Sequence, residues 1–169
     1  MTGWSSRNVL RRIVAFFVAV ASMVVLGSVA HSYLVQRAWA GAAGQAAGTG
    51  PAAIPFADRI SWAVHDLGGM FVPYAAITSI ALLIAFLLAG ALSRFSGRRM
   101  FVFGLAGACA IFVLFTAMRM RLGTVGIFGA RGPIGLAAQM AVGAVAGLLF
   151  ARLTSRQTAQ RPPSTGRGL

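Results

Sequence analysis

The sequence predicts an all-α membrane protein: four transmembrane helices in an antiparallel bundle, with one short amphipathic helix in the external interface. Three observations carry the prediction. Ile13–Ala30, Gly69–Leu92, Met100–Met118 and Pro133–Ala151 contain no Arg, Asp, Glu or His. Each can cross a hydrocarbon core of about 30 Å at about 1.5 Å per residue. The 169 residues are 58% hydrophobic with a mean hydropathy of +0.80, a membrane composition rather than a soluble one. The charge is almost all arginine, with 15 arginines and no lysine against two acids.

With the chain read as a serpentine, those arginines divide unequally. Ten share one side: Arg7, Arg11 and Arg12, then Arg94, Arg98 and Arg99, then Arg152, Arg156, Arg161 and Arg167. Arg37, Arg59, Arg119, Arg121 and Arg131 take the other. By the positive-inside rule both termini are expected to be cytoplasmic. Spans at about 12–34, 69–92, 100–119 and 133–152 use nearly the whole length, which predicts one membrane domain.

The first span follows a short basic lead, and Tyr33 at its far end suits the interfacial aromatic belt. Arg11-Arg12, the apolar run and Ser28-Val29-Ala30 also match the three regions of a secretory signal. Cleavage would leave three spans in the same orientation, but the run is longer than a usual signal core. Ala38–Ala53 is rich in Ala and Gly with few large apolar residues, and reads as a mobile part of an external loop over 35–68.

Within that loop Phe56, Ile60, Val64 and Leu67 recur at helical spacing, predicting an interfacial helix over 55–67 with Trp62 at headgroup depth. Gly68 and Gly69 then turn the chain into the second span. Ser93–Arg99 is a tight basic turn that makes spans two and three antiparallel neighbours. Between spans three and four, Gly123, Gly126, Gly129, Gly132 and Gly135 are spaced by three, a pattern that asks for positive φ or close backbone approach. In span four, Gly135, Gln139, Gly143 and Gly147 fall on one face, where small residues let two helices meet closely. A flexible cytoplasmic tail is expected over 154–169.

The charge of +13 does not point to nucleic acid, because the cations are scattered over two sides of a bilayer rather than gathered on one face. Anionic lipid headgroups are the expected partners, with a homo-oligomer or a larger membrane protein beside them. Cys109 is alone, so it forms no disulfide within the chain.

His31, Asp58, His65 and Asp66 are all the acids and histidines, and all lie on the external side. Their spacing suits neither a tetrahedral metal site nor a catalytic dyad, and no nucleophile motif or phosphate loop accompanies them. No catalytic residue, cofactor or metal is therefore expected. The spans hold no embedded charge of the kind ion-coupled carriers need. The expected role of Asp58, Arg59, His65, Asp66 and Arg131 is structural: an external polar cluster in which Arg131 pairs with an aspartate and ties the interfacial helix to the Gly-rich loop.

DRISWAVHDLGGMFVPY (Asp58–Tyr74) and GARGPIGLAAQ (Gly129–Gln139) resemble stretches of uncharacterised small four-span membrane proteins of proteobacteria. The resemblance implies four spans in a bacterial inner membrane and brings no activity with it. Four-span enzymes of glutathione and eicosanoid metabolism carry a Glu-Arg-x-x-Asn motif, and small multidrug exporters a glutamate in the first helix; this chain has no glutamate. The expected function is a structural or accessory component of a membrane assembly, and the alternative is a small oligomeric pore or transporter. In a Cys109→Ser background, Ala43→Cys should react with an impermeant thiol reagent from outside and Ser96→Cys only from the cytoplasm. External labelling of Ser96→Cys would overturn the orientation.

Overall fold

A computed structural model describes residues 6–47, 53–123 and 132–155. They form four helices and no strand: α1 Ser6–Ala46, α2 Phe56–Ser96, α3 Arg99–Leu122 and α4 Pro133–Ser155. All four are long and apolar enough to cross a membrane, which makes the chain an integral, multi-pass membrane protein. Large side chains such as Leu87, Leu88 and Phe101 are exposed, as lipid-facing positions require.

Two glycines shape the connections. Gly97 ends α2 with φ 62° and Gly123 ends α3 with φ 69°. This left-handed C-cap is one that side-chain-bearing residues adopt reluctantly. Only Gly97 and Arg98 separate α2 from α3.

α1 packs on α2 and α4, and α3 packs on the same two helices. Contacts between α3 and α4 pair Gly107 with Gly143, Phe103 with Gly147 and Arg99 with Thr154, ascending one helix as they descend the other. Between α1 and α2 the pairs are Phe16 with Phe86 and Trp39 with Trp62, again in opposite order. Phe86 is the aromatic centre of the core. It stacks on Phe150 of α4 at 4.7 Å and meets Phe103 of α3 and Phe16 of α1 edge-on at 5.8 and 6.3 Å.

The closest approach lies between α3 and α4. A Cβ built on Gly107 would collide with the carbonyl of Gly143, and one on Gly147 with that of Phe103. A Cβ on Gly143 would sit 2.5 Å from the Gly107 carbonyl oxygen. Glycine is therefore required at three positions for the backbones to touch.

The structure departs from the sequence expectation at the external end. α1 continues to Ala46, well beyond residue 34 and through most of the segment expected to be a mobile loop. The reason is composition: Ala38, Ala40, Ala42, Ala43 and Ala46 are the best helix formers available, and a helix satisfies their backbone groups without needing large apolar residues. Nor does a separate interfacial helix end at 67, because α2 passes unbroken through Gly68 and Gly69. Two interior glycines cost about 1 kcal/mol each relative to alanine. Contacts upstream of them offset that cost: Gln36 Nε2 donates to the Arg59 carbonyl at 3.0 Å, and Trp39 and Trp62 meet edge-to-face at 5.6 Å. At the far end α4 reaches Ser155, and residues 156–169 of the expected tail lie outside the described residues.

Gly147→Ala should lower stability by about 1–3 kcal/mol through overpacking against α3. Gly90→Ala, where an added Cβ meets nothing within 4 Å, should be neutral or stabilising by about 0.5–1 kcal/mol. Reversible unfolding in mixed micelles, with mutants compared under one condition, measures both.

Candidate functional site

The described residues offer three places where side-chain chemistry gathers. One is inside the bundle, one at its Arg59 end and one at its Arg99 end.

Inside the bundle, Gln139 is fully buried and bonded to two other helices. Its Nε2 donates to the Gly27 carbonyl of α1 at 2.9 Å, and its Oε1 accepts from the Tyr74 hydroxyl of α2 at 2.8 Å. Gly27 has no side chain for the same reason that Gly143 has none, since a Cβ there would run into the Tyr74 hydroxyl and lie 3.0 Å from Gln139 Oε1. Thr78, also buried, returns its hydroxyl to the Tyr74 carbonyl at 2.6 Å. Each of these buried groups thus finds a partner in the interior, where an unmatched group would be costly. Ser28, His31, Ser32 and Gln36 continue a buried polar strip along α1 towards the Arg59 end.

At the Arg59 end the expected polar cluster divides. Asp58 and His65 are exposed on α2. Arg59 donates from Nε to the Ile54 carbonyl at 3.1 Å and so braces the chain entering its own helix. Asp66 belongs to the backbone of α2 but its side chain is outside the described residues, as is Arg131 altogether. Among the described residues no three His, Cys, Asp or Glu side chains gather in one place.

At the opposite end, Arg99 opens α3 and donates from a terminal guanidinium nitrogen to Thr154 Oγ1 of α4 at 2.7 Å. Its guanidinium lies over the Phe103 ring, 5.1 Å from the centroid. Arg12 of α1 is within Coulombic reach and of like charge.

Of the residues chosen from the sequence for helix packing, Gly135, Gln139, Gly143 and Gly147 all lie buried on α4. Sequence reasoning missed Gly27, Tyr74 and the polar strip of α1. A signal existed: Ser28, Ser32 and Gln36 recur at spacing four, with His31 beside them, in a helix that is apolar before them. The height at which Tyr74 meets Gln139 had no such signal, because periodicity gives faces and not the register between helices.

These features define a multi-pass helical membrane protein whose inner polar groups join helix to helix. Compared with known proteins, the chain matches no family model, no curated protein and no solved structure.

Tyr74→Phe and Gln139→Leu should each destabilise the bundle by about 1–2 kcal/mol. Combined, they should show a coupling of about 0.6–1.7 kcal/mol, the range for interhelical hydrogen bonds in membranes. A double-mutant cycle measures it, and additive losses would mean the pair does not interact.

Proposed function

We propose that the chain is an accessory component of an assembly in a bacterial inner membrane, with no catalysis of its own. Its four helices cross as an antiparallel bundle, N-terminus and C-terminus cytoplasmic, and its cytoplasmic arginines meet anionic headgroups.

One observation carries this reading. α1 and α2 are 41 residues each, about 62 Å at about 1.5 Å per residue, roughly twice a hydrocarbon core. Residues 56–64 of α2 precede Gly69–Leu92, the uncharged run of this helix that is long enough to cross the bilayer. There Trp62 turns to α1, whereas Phe56 (77% exposed), Ile60 and Val64 (64% exposed) form an apolar stripe that α1 leaves uncovered. An uncovered stripe on a braced helical hairpin suits a protein partner at the membrane surface.

The interior supports the same reading. Tyr74, Gln139 and Thr78 are matched to acceptors within the bundle, and α3 meets α4 backbone to backbone. Polar groups occupied in this way do not converge on a bound solute.

Ile60→Glu with Val64→Glu should release the chain from a heavier complex on native gels of mildly solubilised membranes, with its thermal transition unchanged. A wild-type chain that instead runs as a homo-oligomer and conducts in liposomes would replace this reading with the pore.

A further inference from the structure

The outer side of the α2–α3 pair carries a long apolar groove of about 720 Å³. Its floor is made of small residues, Ala81 and Ala85 from α2 with Ala106 and Ala110 from α3, which keep the space between the helices hollow. Larger side chains wall it, among them Ile84 and Leu88 on one side and Leu105 and Val113 on the other. The groove runs from Ile77 to Ser96 along α2, about 28 Å at about 1.5 Å per residue, almost the depth of a hydrocarbon core.

Its Ser96 end opens at Gly97 and Arg98, which join α2 to α3, with Arg94 in the last turn of α2 and Arg99 at the start of α3. Arg98 precedes Val102 and Leu105 on the face of α3 that lines the groove. Arg94 and Arg98 are exposed. Arg99 is half-buried, with an enclosed Nε that has no hydrogen-bond partner among the described residues. Arg12 adds like charge. The two acidic side chains of the sequence, Asp58 and Asp66, belong to the opposite end of α2.

We propose that this groove is the seat of an anionic phospholipid, with an acyl chain along the alanine floor and the headgroup phosphate at Arg98, within reach of the exposed Arg94. This goes beyond the general attraction of arginine to a bilayer surface, because the cations stand at the mouth of a defined apolar channel. A neutral lipid fills the channel but leaves the charge unmatched. A second copy of the chain fits less well, since it would bring the same arginines to the same place.

The test extracts the full chain in mild detergent and adds equal amounts of phosphatidylglycerol and phosphatidylcholine with matched acyl chains. Bound lipid is then counted by native mass spectrometry. A single phosphatidylglycerol should be retained in preference, by about five-fold for each arginine contributing. Arg94→Gln with Arg98→Gln should bring the two lipids close to parity. Ile84→Trp, which fills the groove from an exposed position, should lower retention of both lipids while helicity and the thermal transition stay unchanged. If that variant fails to fold, Leu105→Trp blocks the groove from the α3 wall instead. Equal retention of the two lipids by the wild-type chain would overturn the proposal. So would retention unaffected by filling the groove, or a dimer that Ile84→Trp disperses without changing the lipid count.

Discussion

Between helices bathed in lipid, burying apolar surface contributes little, because acyl chains are as apolar as leucine. What holds such helices together is close packing and the hydrogen bonds that close approach permits. In this bundle the approach is greatest where α4 meets α3, at Gly107 with Gly143 and Phe103 with Gly147. The other contacts of α4 are set by that one. Four residues before Gly143 on the same helix, Gln139 reaches α1 at Gly27 and α2 at Tyr74. Seven residues after Gly147, Thr154 accepts from Arg99. One helix face of small and polar residues thereby touches all three neighbours.

The rest of the molecule follows from how α4 is seated. α4 packs on α1 and α3, while α2 and α3 meet along a seam of alanines that stays open on its outer side. Phe86 closes the centre of the core from α2 and contacts all three other helices. α1 and α2, being longer than α3 and α4, continue past them as a hairpin braced by Trp39, Trp62 and Gln36. Packing thus divides the surface into two apolar features with different surroundings. The stripe at Phe56 and Ile60 lies on α2 before the uncharged run Gly69–Leu92, whereas the groove lies mostly along that run.

The four crossings were legible because uncharged runs of the right length have few other uses, and the α4 face was legible because Gly135, Gln139, Gly143 and Gly147 share a spacing of four. The length of α1 was not. Ala and Gly after residue 37 lack the large apolar residues that mark a helix for burial, yet alanine needs no burial to remain helical. The continuity of α2 was hidden for a related reason. Gly68-Gly69 reads as a break until the partners of Arg59 and Trp62 on α1 are known, and those contacts join residues 23 apart in sequence. Tyr74 could be placed on a face but not at a height. The expected pairing of Arg131 with Asp58 or Asp66 needs Arg131, which lies outside the described residues. The α2–α3 groove has no sequence signature of its own, since alanines at helical spacing predict close packing and hollow floors alike.

The seating of α4 is open to direct observation in a bilayer. Magic-angle-spinning NMR on the chain labelled at glycine and phenylalanine, reconstituted in lipid, reports backbone proximities between helices. Cross-peaks between Gly107 and Gly143 and between Phe103 and Gly147 are the predicted result. Their absence in a folded, fully helical sample would contradict the dependence of the bundle on backbone contact between α3 and α4.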